Sequence, residues 1–491
     1  MSNSEFEEYF LDSIEIIKKV VDKTEYRDFL VPILFFKSLN DTYLDEYEKA
    51  LKKYKIEKIA RDPAYHRFQL PKGYLWEDLQ RKTENVDQFL NTIFEKIEKA
   101  NPDKLTGAFK FDYIEANIDD AIFIELINHL STKNLSLEKN DEDEMGIAFM
   151  KLIEYFSRKE DRNPGEFSTP REIIQIMVRI LSPFKNGDSF HDPACGSGDM
   201  LVETARYYKN EQEGDPSKLR LTGQVNIKNI PILAKINLYF NRQNADIKKG
   251  SPFTEPQFLE NDDLEKFDYV ITNFPFSEDW AKDEMKDDHF KRFGWAEKLP
   301  SKSRADYAYI MHMVKQLKEN GKMISVVPQG VLFRKDENKF RKPMIENDLV
   351  EAVITLPQKL FGEDTGIAPA ILLINKDKPE ERQNKIIFIY AGDEKFYREF
   401  SNLNQLTEEG ILHVVNNYKN WESEEKVSRV VDLEEIQDND YNLNVALYVD
   451  TTVPEEDIDV KEELQIIHRL EKEQSEIKNQ LYEYMEGLGY E

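Results

Sequence analysis

Ser189-Phe190-His191-Asp192-Pro193-Ala194-Cys195-Gly196-Ser197-Gly198-Asp199 is the stretch that decides how this chain folds. A short β-rich run ends at Asp192, two glycines follow in a tight turn, and a helical stretch begins at Asp199. Glycines there let the backbone approach a ligand closely, and a carboxylate at a strand end can accept hydrogen bonds from an ammonium or hydroxyl group. A phosphate loop would need a glycine-rich run closing on Lys-Ser or Lys-Thr, and a dinucleotide fingerprint would need three glycines. Neither is present. Taken alone, the two glycines fit an ordinary strand-turn-helix equally well.

Outward from this turn, β-rich runs alternate with helical stretches from about residue 146, which predicts a largely parallel sheet covered by helices. Strands are expected at 189–192, 219–224, 267–272, 322–327, 350–356, 370–375 and 385–390. The fold class is α/β, a doubly wound seven-stranded mixed sheet. The last two strands lie too close for a crossover helix, so they are expected to pair antiparallel at one sheet edge. Upstream, Phe10, Ile14, Ile17 and Val21 recur at helical spacing and 29–39 is a second apolar segment, so the first part reads as helical. The polar run 131–144 (STKNLSLEKNDEDE) has little to bury and marks a boundary. Near the end, Leu464, Ile467, Leu470, Ile477, Leu481, Tyr484 and Leu488 form a heptad seam that calls for a partner or for folding back on the chain. Three parts result: a helical domain at 1–140, the sheet domain at 146–430, and a tail with a docking helix at 431–491.

The composition limits the function. With 491 residues, 40% of them hydrophobic, the chain can bury more than one core. Its single cysteine excludes an internal disulfide and a multi-cysteine metal site, and the seven histidines show no ligand spacing. No apolar run reaches membrane-spanning length and the first ten residues lack a basic-then-apolar leader, so a cytoplasmic protein with no membrane contact is expected. A net charge of -28 argues against a chain that grips duplex DNA alone.

Two further motifs carry chemistry. Asn273-Phe274-Pro275-Phe276 follows an apolar strand and therefore also lies at a carboxyl end of the sheet. An exocyclic amine on a base is a poor nucleophile because its lone pair is delocalised into the ring. The Asn273 side-chain oxygen and the Phe274 carbonyl could accept hydrogen bonds from it, and Phe276 offers a stacking face for a flipped base. Such a reaction needs no metal or covalent nucleophile. An Asn-x-Pro-Phe turn is also a common structural element. The third motif, Gly165-Glu166-Phe167-Ser168-Thr169-Pro170-Arg171, precedes an amphipathic helix, with Thr169 expected as N-cap and Pro170 at the first helical position. A helix start there would also favour the carboxylate of an amino-acid-like cofactor.

The three motifs in this order resemble the M subunits of type I restriction-modification enzymes, a group of amino-group DNA methyltransferases. The similarity continues through 325–333 (SVVPQGVLF), 356–361 (LPQKLF), 366–373 (GIAPAILL) and 441–450 (YNLNVALYVD), and covers nearly the whole chain. The resemblance implies methyl transfer from S-adenosylmethionine to adenine N6, with 146–430 as the catalytic domain. It implies that Glu166, Phe167, Ser168, Thr169, Pro170, Arg171, Asp192, Gly196, Ser197, Gly198, Asp199 and Val225 surround the cofactor. Asn273, Phe274, Pro275 and Phe276 would hold the target adenine. The implied partners are DNA, a specificity (S) subunit shared by two M chains, and a restriction (R) subunit.

Three positions depart from the family pattern. Val225 stands where a carboxylate would bind the ribose, Ser251 stands where an aspartate is usual near the adenine ring, and Phe274 replaces a proline. Asn226 and Asp246 are candidates to replace the lost carboxylates. Two alternatives stay open: a silent M-like assembly subunit, and an amino-methyltransferase acting on cytosine N4, RNA or a protein glutamine.

Overall fold

The computed structural model describes residues 5–159, 169–226, 232–361, 369–400, 403–450 and 460–487. The chain divides into two compact units, Met1–Asp450 and Thr451–Glu491. The first is built on a nine-stranded sheet of order β13-β10-β8-β9-β7-β6-β1-β2-β3. Its strands are β1 (Ser189–Asp192), β2 (Arg220–Val225), β3 (Asp246–Lys249), β6 (Phe267–Asn273), β7 (Leu317–Pro328), β8 (Val350–Thr355), β9 (Pro369–Asn375), β10 (Lys385–Tyr390) and β13 (Ser428–Asp432). Two small hairpins, β4 (Leu259–Glu260) with β5 (Asp263–Leu264) and β11 (Tyr397–Phe400) with β12 (Leu403–Leu406), stand apart from it. Alternate residues feed two cores. Ile271, Ile324, Val326 and Ile354 face one, while Val270, Met323, Val327 and Val353 face the other.

All seven expected strands are present. β3 (DIKK) and β13 (SRVVD) were not expected, because they are edge strands whose charged residues face solvent. The expected pairing of the strands at 370–375 and 385–390 is not observed. β9 inserts antiparallel between β7 and β8, and β10 pairs parallel with β8 and antiparallel with β13. The short link from β9 to β10 passes over one strand instead of turning back on its neighbour.

The helical region packs directly onto this sheet unit. Its core, built from residues such as Phe10, Phe29, Phe36 and Leu130, also takes in Ile236 and Phe240 of the helix Ile232–Phe240. Phe149 and Phe240 stack at 4.2 Å, and the Tyr239 hydroxyl meets Thr42 Oγ1 at 3.2 Å. The run 131–144 buries more than its composition suggests. Leu135 and Leu137 are buried, with the Leu135 N–H donating to Asp41 (2.7 Å) and the Leu137 N–H to Thr42 (3.0 Å). Leucines spaced by two within a polar run present one apolar side, which overall polarity hides. The tail also starts later than residue 431, since Leu443, Val445, Tyr448 and Val449 are core residues and Tyr448 stacks on Phe388 at 4.2 Å.

The second unit holds the helix Val460–Gly487. Its seam residues Leu464, Ile467, Leu470, Ile477, Leu481 and Tyr484 are 48–72% exposed; Leu488 lies outside the described residues. No helix among the described residues is long and apolar enough to cross a membrane. Removing the ring that joins the helical region to the sheet unit leaves a cavity, so Phe240→Ala is expected to lower unfolding free energy by about 3–5 kcal/mol. Urea titration followed by circular dichroism checks this; a loss under about 1 kcal/mol would contradict the shared core.

Candidate functional site

Asp192 closes β1, and its buried carboxylate Oδ1 accepts from the Thr272 hydroxyl at 2.6 Å and from the Ala194 N–H at 3.0 Å. Burial pushes its pKa up to about 7, helped by the Asp199 charge and opposed by those two hydrogen bonds. The turn that follows is held by its own backbone, the Cys195 N–H donating to the Gln224 carbonyl (3.0 Å) and the Gly198 N–H to the Cys195 carbonyl (2.6 Å). Gly196 and Gly198 adopt left-handed backbone, φ +49° and +80°. A Cβ on Gly196 would meet nothing within 4 Å, so the turn presents open space there, whereas one on Gly198 would press on Ala234 at 3.3 Å. Asp199 begins the helix Asp199–Asn210 and accepts from the Ser197 hydroxyl (2.5 Å) and Asn237 Nδ2 (2.8 Å). Ser197 and Asp199 therefore brace the turn from within. Cys195 is buried and its thiol pKa is pushed up by that burial, as suits a packing residue.

The tetrapeptide begins at the end of β6, which runs parallel beside β1. Asn273 Nδ2 donates to the Thr169 hydroxyl at 2.9 Å, and Asn273 Oδ1 is buried with no hydrogen-bond partner among the described residues. An orphaned buried acceptor costs about 1–3 kcal/mol, and a ligand N–H would recover that cost. Phe274 is fully buried, with its ring flat on Tyr309 (4.8 Å, 4°). Phe276 is only partly buried and packs against both cores, 6.1 Å from Phe274 at 81°. Pro275 is also partly exposed. The chain leaves through Ser277 at φ +52°, whose N–H donates to Asp306 at 2.7 Å.

The third motif meets the other two, but with different capping. Glu166, Phe167 and Ser168 lie outside the described residues. The helix runs Arg171–Leu181 with Pro170, not Thr169, at the N-cap and no side-chain cap. Thr169 lies one residue before the cap, and its hydroxyl accepts from Asn273 Nδ2. Arg171 donates to Glu203 on the helix Asp199–Asn210 at 2.7 Å, which ties this motif to the glycine turn.

The departures are structurally plain. Val225 is buried at the end of β2 in apolar surroundings and offers no acceptor side chain. Asp246 cannot replace the missing carboxylate. It starts β3 opposite Thr222, while Val225 lies opposite Lys249, about 10 Å further along the strand. Asn226 follows Val225 directly and is partly exposed. Ser251 Oγ accepts from the Phe253 and Thr254 N–H groups (3.2 and 3.3 Å), so it shapes the turn. Gln224 Nε2 secures the same turn through the Gly250 carbonyl (2.9 Å). Sequence reasoning missed Thr272, Asn237, Asp306 and Tyr309; nothing in their local spacing signals a contact made 29 to 80 residues away. Among the described residues no cluster of three metal-capable side chains occurs.

Comparison with known proteins agrees with this geometry. Residues 140–457 match the N-6 DNA Methylase family and residues 10–130 the HsdM N-terminal domain. The type I restriction enzyme MjaVII methylase subunit of Methanocaldococcus jannaschii is 34% identical, over 96% of this chain and 82% of that protein. The MjaVIII methylase subunit of the same organism is 32% identical, over 94% and 81%. Among solved structures, the type I restriction-modification system methyltransferase subunit from Streptococcus thermophilus shares the fold with a TM-score of 0.77 and 24% identity, covering 91% of this chain and 99% of that one. A chain from the structure of a type I R-M system described for complex assembly and conformational transition gives 0.66 and 18%, over 98% and 97%. Three motifs gathered at the carboxyl ends of the neighbouring strands β1 and β6, a family match over residues 140–457, and relatives at 34% and 32% identity place the chain in the N-6 DNA methylase family, among the type I restriction enzyme methylase subunits.

Proposed function

We propose that this chain transfers a methyl group from S-adenosylmethionine to adenine N6 in DNA, as the modification subunit of a type I restriction-modification complex. The observation that carries this reading is Asn273 Oδ1, a buried acceptor without a partner among the described residues, on a side chain oriented by the Thr169 contact. S-adenosylmethionine supplies an electrophilic methyl on a sulfonium. The residues present fit it: Asp192 offers a buried carboxylate to a cationic ligand, and Gly196 leaves an open approach. Thr169 and Arg171 line a small pocket together with Asp199, and Val225, at the end of β2, offers no acceptor for a ribose.

The chain's own work is to hold the amine. Asn273 Oδ1 and the Phe274 carbonyl accept its two N–H groups, which returns lone-pair density to the nitrogen, and Phe276 stacks on the base. Proximity and prearranged acceptors then supply most of the acceleration. Losing two charge-assisted contacts at Val225 and Ser251 costs about 1.5–3 kcal/mol each, so weak cofactor binding is expected. Complete loss would leave the second reading, a silent assembly subunit.

At a net charge of -28, the chain needs a basic partner on DNA, and the exposed seam of Val460–Gly487 suits docking to a specificity subunit shared by two such chains. A restriction subunit completes the complex, and the setting is cytoplasmic.

Two measurements follow. In calorimetry with S-adenosylmethionine, Asp192→Ala is expected to abolish binding and Asn273→Ala to keep it; absence of binding by the wild-type chain, even with a specificity subunit, would favour the silent reading. The second concerns the ligand-free protein. Because the Asp192 pKa is raised from 3.8 to about 7, the stability of its neutral form is present in full below pH about 4 and is lost as pH rises to about 7. Asp192→Asn should therefore gain thermal stability over wild type from pH 5 to pH 8; a constant gap would contradict the buried-acid assignment.

A further inference from the structure

Phe274 lacks the ring closure by which proline fixes φ, yet its carbonyl is one of the two acceptors required by the reading above. The structure supplies a restraint from outside the tetrapeptide. The Phe274 ring is fully buried and lies face to face on Tyr309, 4.8 Å between centroids and 4° from parallel. Tyr309 is itself held on three sides. It belongs to the helix Asp306–Lys315, its hydroxyl reaches Glu278 Oε2 at 3.4 Å, and Phe253 meets its face edge-on at 4.7 Å and 62°. Phe253 is fixed in turn, its carbonyl accepting from the buried Arg292 at 2.7 Å.

One turn earlier on the same helix, Asp306 accepts the Ser277 N–H at 2.7 Å and pairs with Arg334 at 3.0 Å. Residues three apart share a helix face, so one face grips the tetrapeptide at its second residue and just past its last. That is more than filling a core. The Ser251 turn two residues before Phe253 is held separately, by its own N–H groups and by Gln224, so a change at Tyr309 acts on the target side.

We propose that Tyr309 is a positioning residue for methyl transfer: by stacking on Phe274 it sets the backbone carbonyl that meets the target amine, replacing the restraint that proline gives within the chain. This rests on the methyltransferase reading. It predicts that the importance of Tyr309 depends on which residue occupies position 274, which simple packing would not.

The experiment is a double-mutant cycle on the full chain assembled with its specificity subunit, reading single-turnover methyl transfer to DNA, S-adenosylmethionine affinity and the melting midpoint. Y309F keeps the ring and is expected to stay within about twofold of wild type, while Y309L lowers the rate about tenfold or more with cofactor affinity nearly unchanged. In the F274P background, Y309L should cost less than about threefold. An unchanged rate in Y309L, an equal loss in both backgrounds, or a parallel loss of cofactor affinity would overturn the proposal. If F274P does not fold, the contrast between Y309F and Y309L decides: a rate loss confined to Y309L with cofactor affinity kept supports it, and any other pattern overturns it. A wild-type complex that methylates no DNA would instead defeat the functional reading beneath it.

Discussion

The Thr272 hydroxyl donates to Asp192 Oδ1 across two adjacent parallel strands, 2.6 Å apart in a fully buried setting. Because β1 and β6 run parallel side by side, the residues that leave their carboxyl ends emerge together, and this contact fixes the glycine turn against the tetrapeptide. The third motif joins through Thr169 on Asn273 and Arg171 on Glu203. Each of these contacts uses a side chain that would otherwise be an unsatisfied buried polar group, so the site is held by the same requirement that stabilises the core. Asn273 Oδ1 is among the buried acceptors left without a partner among the described residues, and it is the one that lies in the tetrapeptide.

The departures from the family pattern have unequal consequences. Phe274 costs the tetrapeptide its internal rigidity, and the neighbouring Tyr309 ring meets that loss. Val225 and Ser251 have no equivalent. Val225 is packed among apolar side chains and Ser251 turns its oxygen toward its own turn, so neither offers a charged acceptor. A carboxylate cannot be borrowed from Asp246, which starts its strand too far back.

The interior strands were legible because burial on both faces makes them nearly continuous apolar runs, and the turn and tetrapeptide stood out by following such runs. Strand order was not legible. It depends on pairings such as β7 with β9 that no local pattern encodes, and the edge strands β3 and β13 carry too few apolar residues to register. Within the site, Asp192, Gly196 and Asn273 could be read from position alone. Thr272 and Thr169, the partners of Asp192 and Asn273, and Tyr309, the partner of Phe274, could not be identified as such, since what matters is which side chains the fold brings opposite one another. The role of Asp199 as a brace through Asn237, and of Thr169 as a hydrogen-bond acceptor instead of a cap, emerged only from long-range contacts.

The central claim is that the orphaned acceptor and the Phe274 carbonyl are set for the exocyclic amine of adenine in DNA. The most direct test is nucleoside mass spectrometry of DNA incubated with the assembled complex and methyl-labelled S-adenosylmethionine. The account predicts label in N6-methyladenine and in no other nucleoside. Label in N4-methylcytosine, or none in a complex that binds both cofactor and DNA, would contradict it.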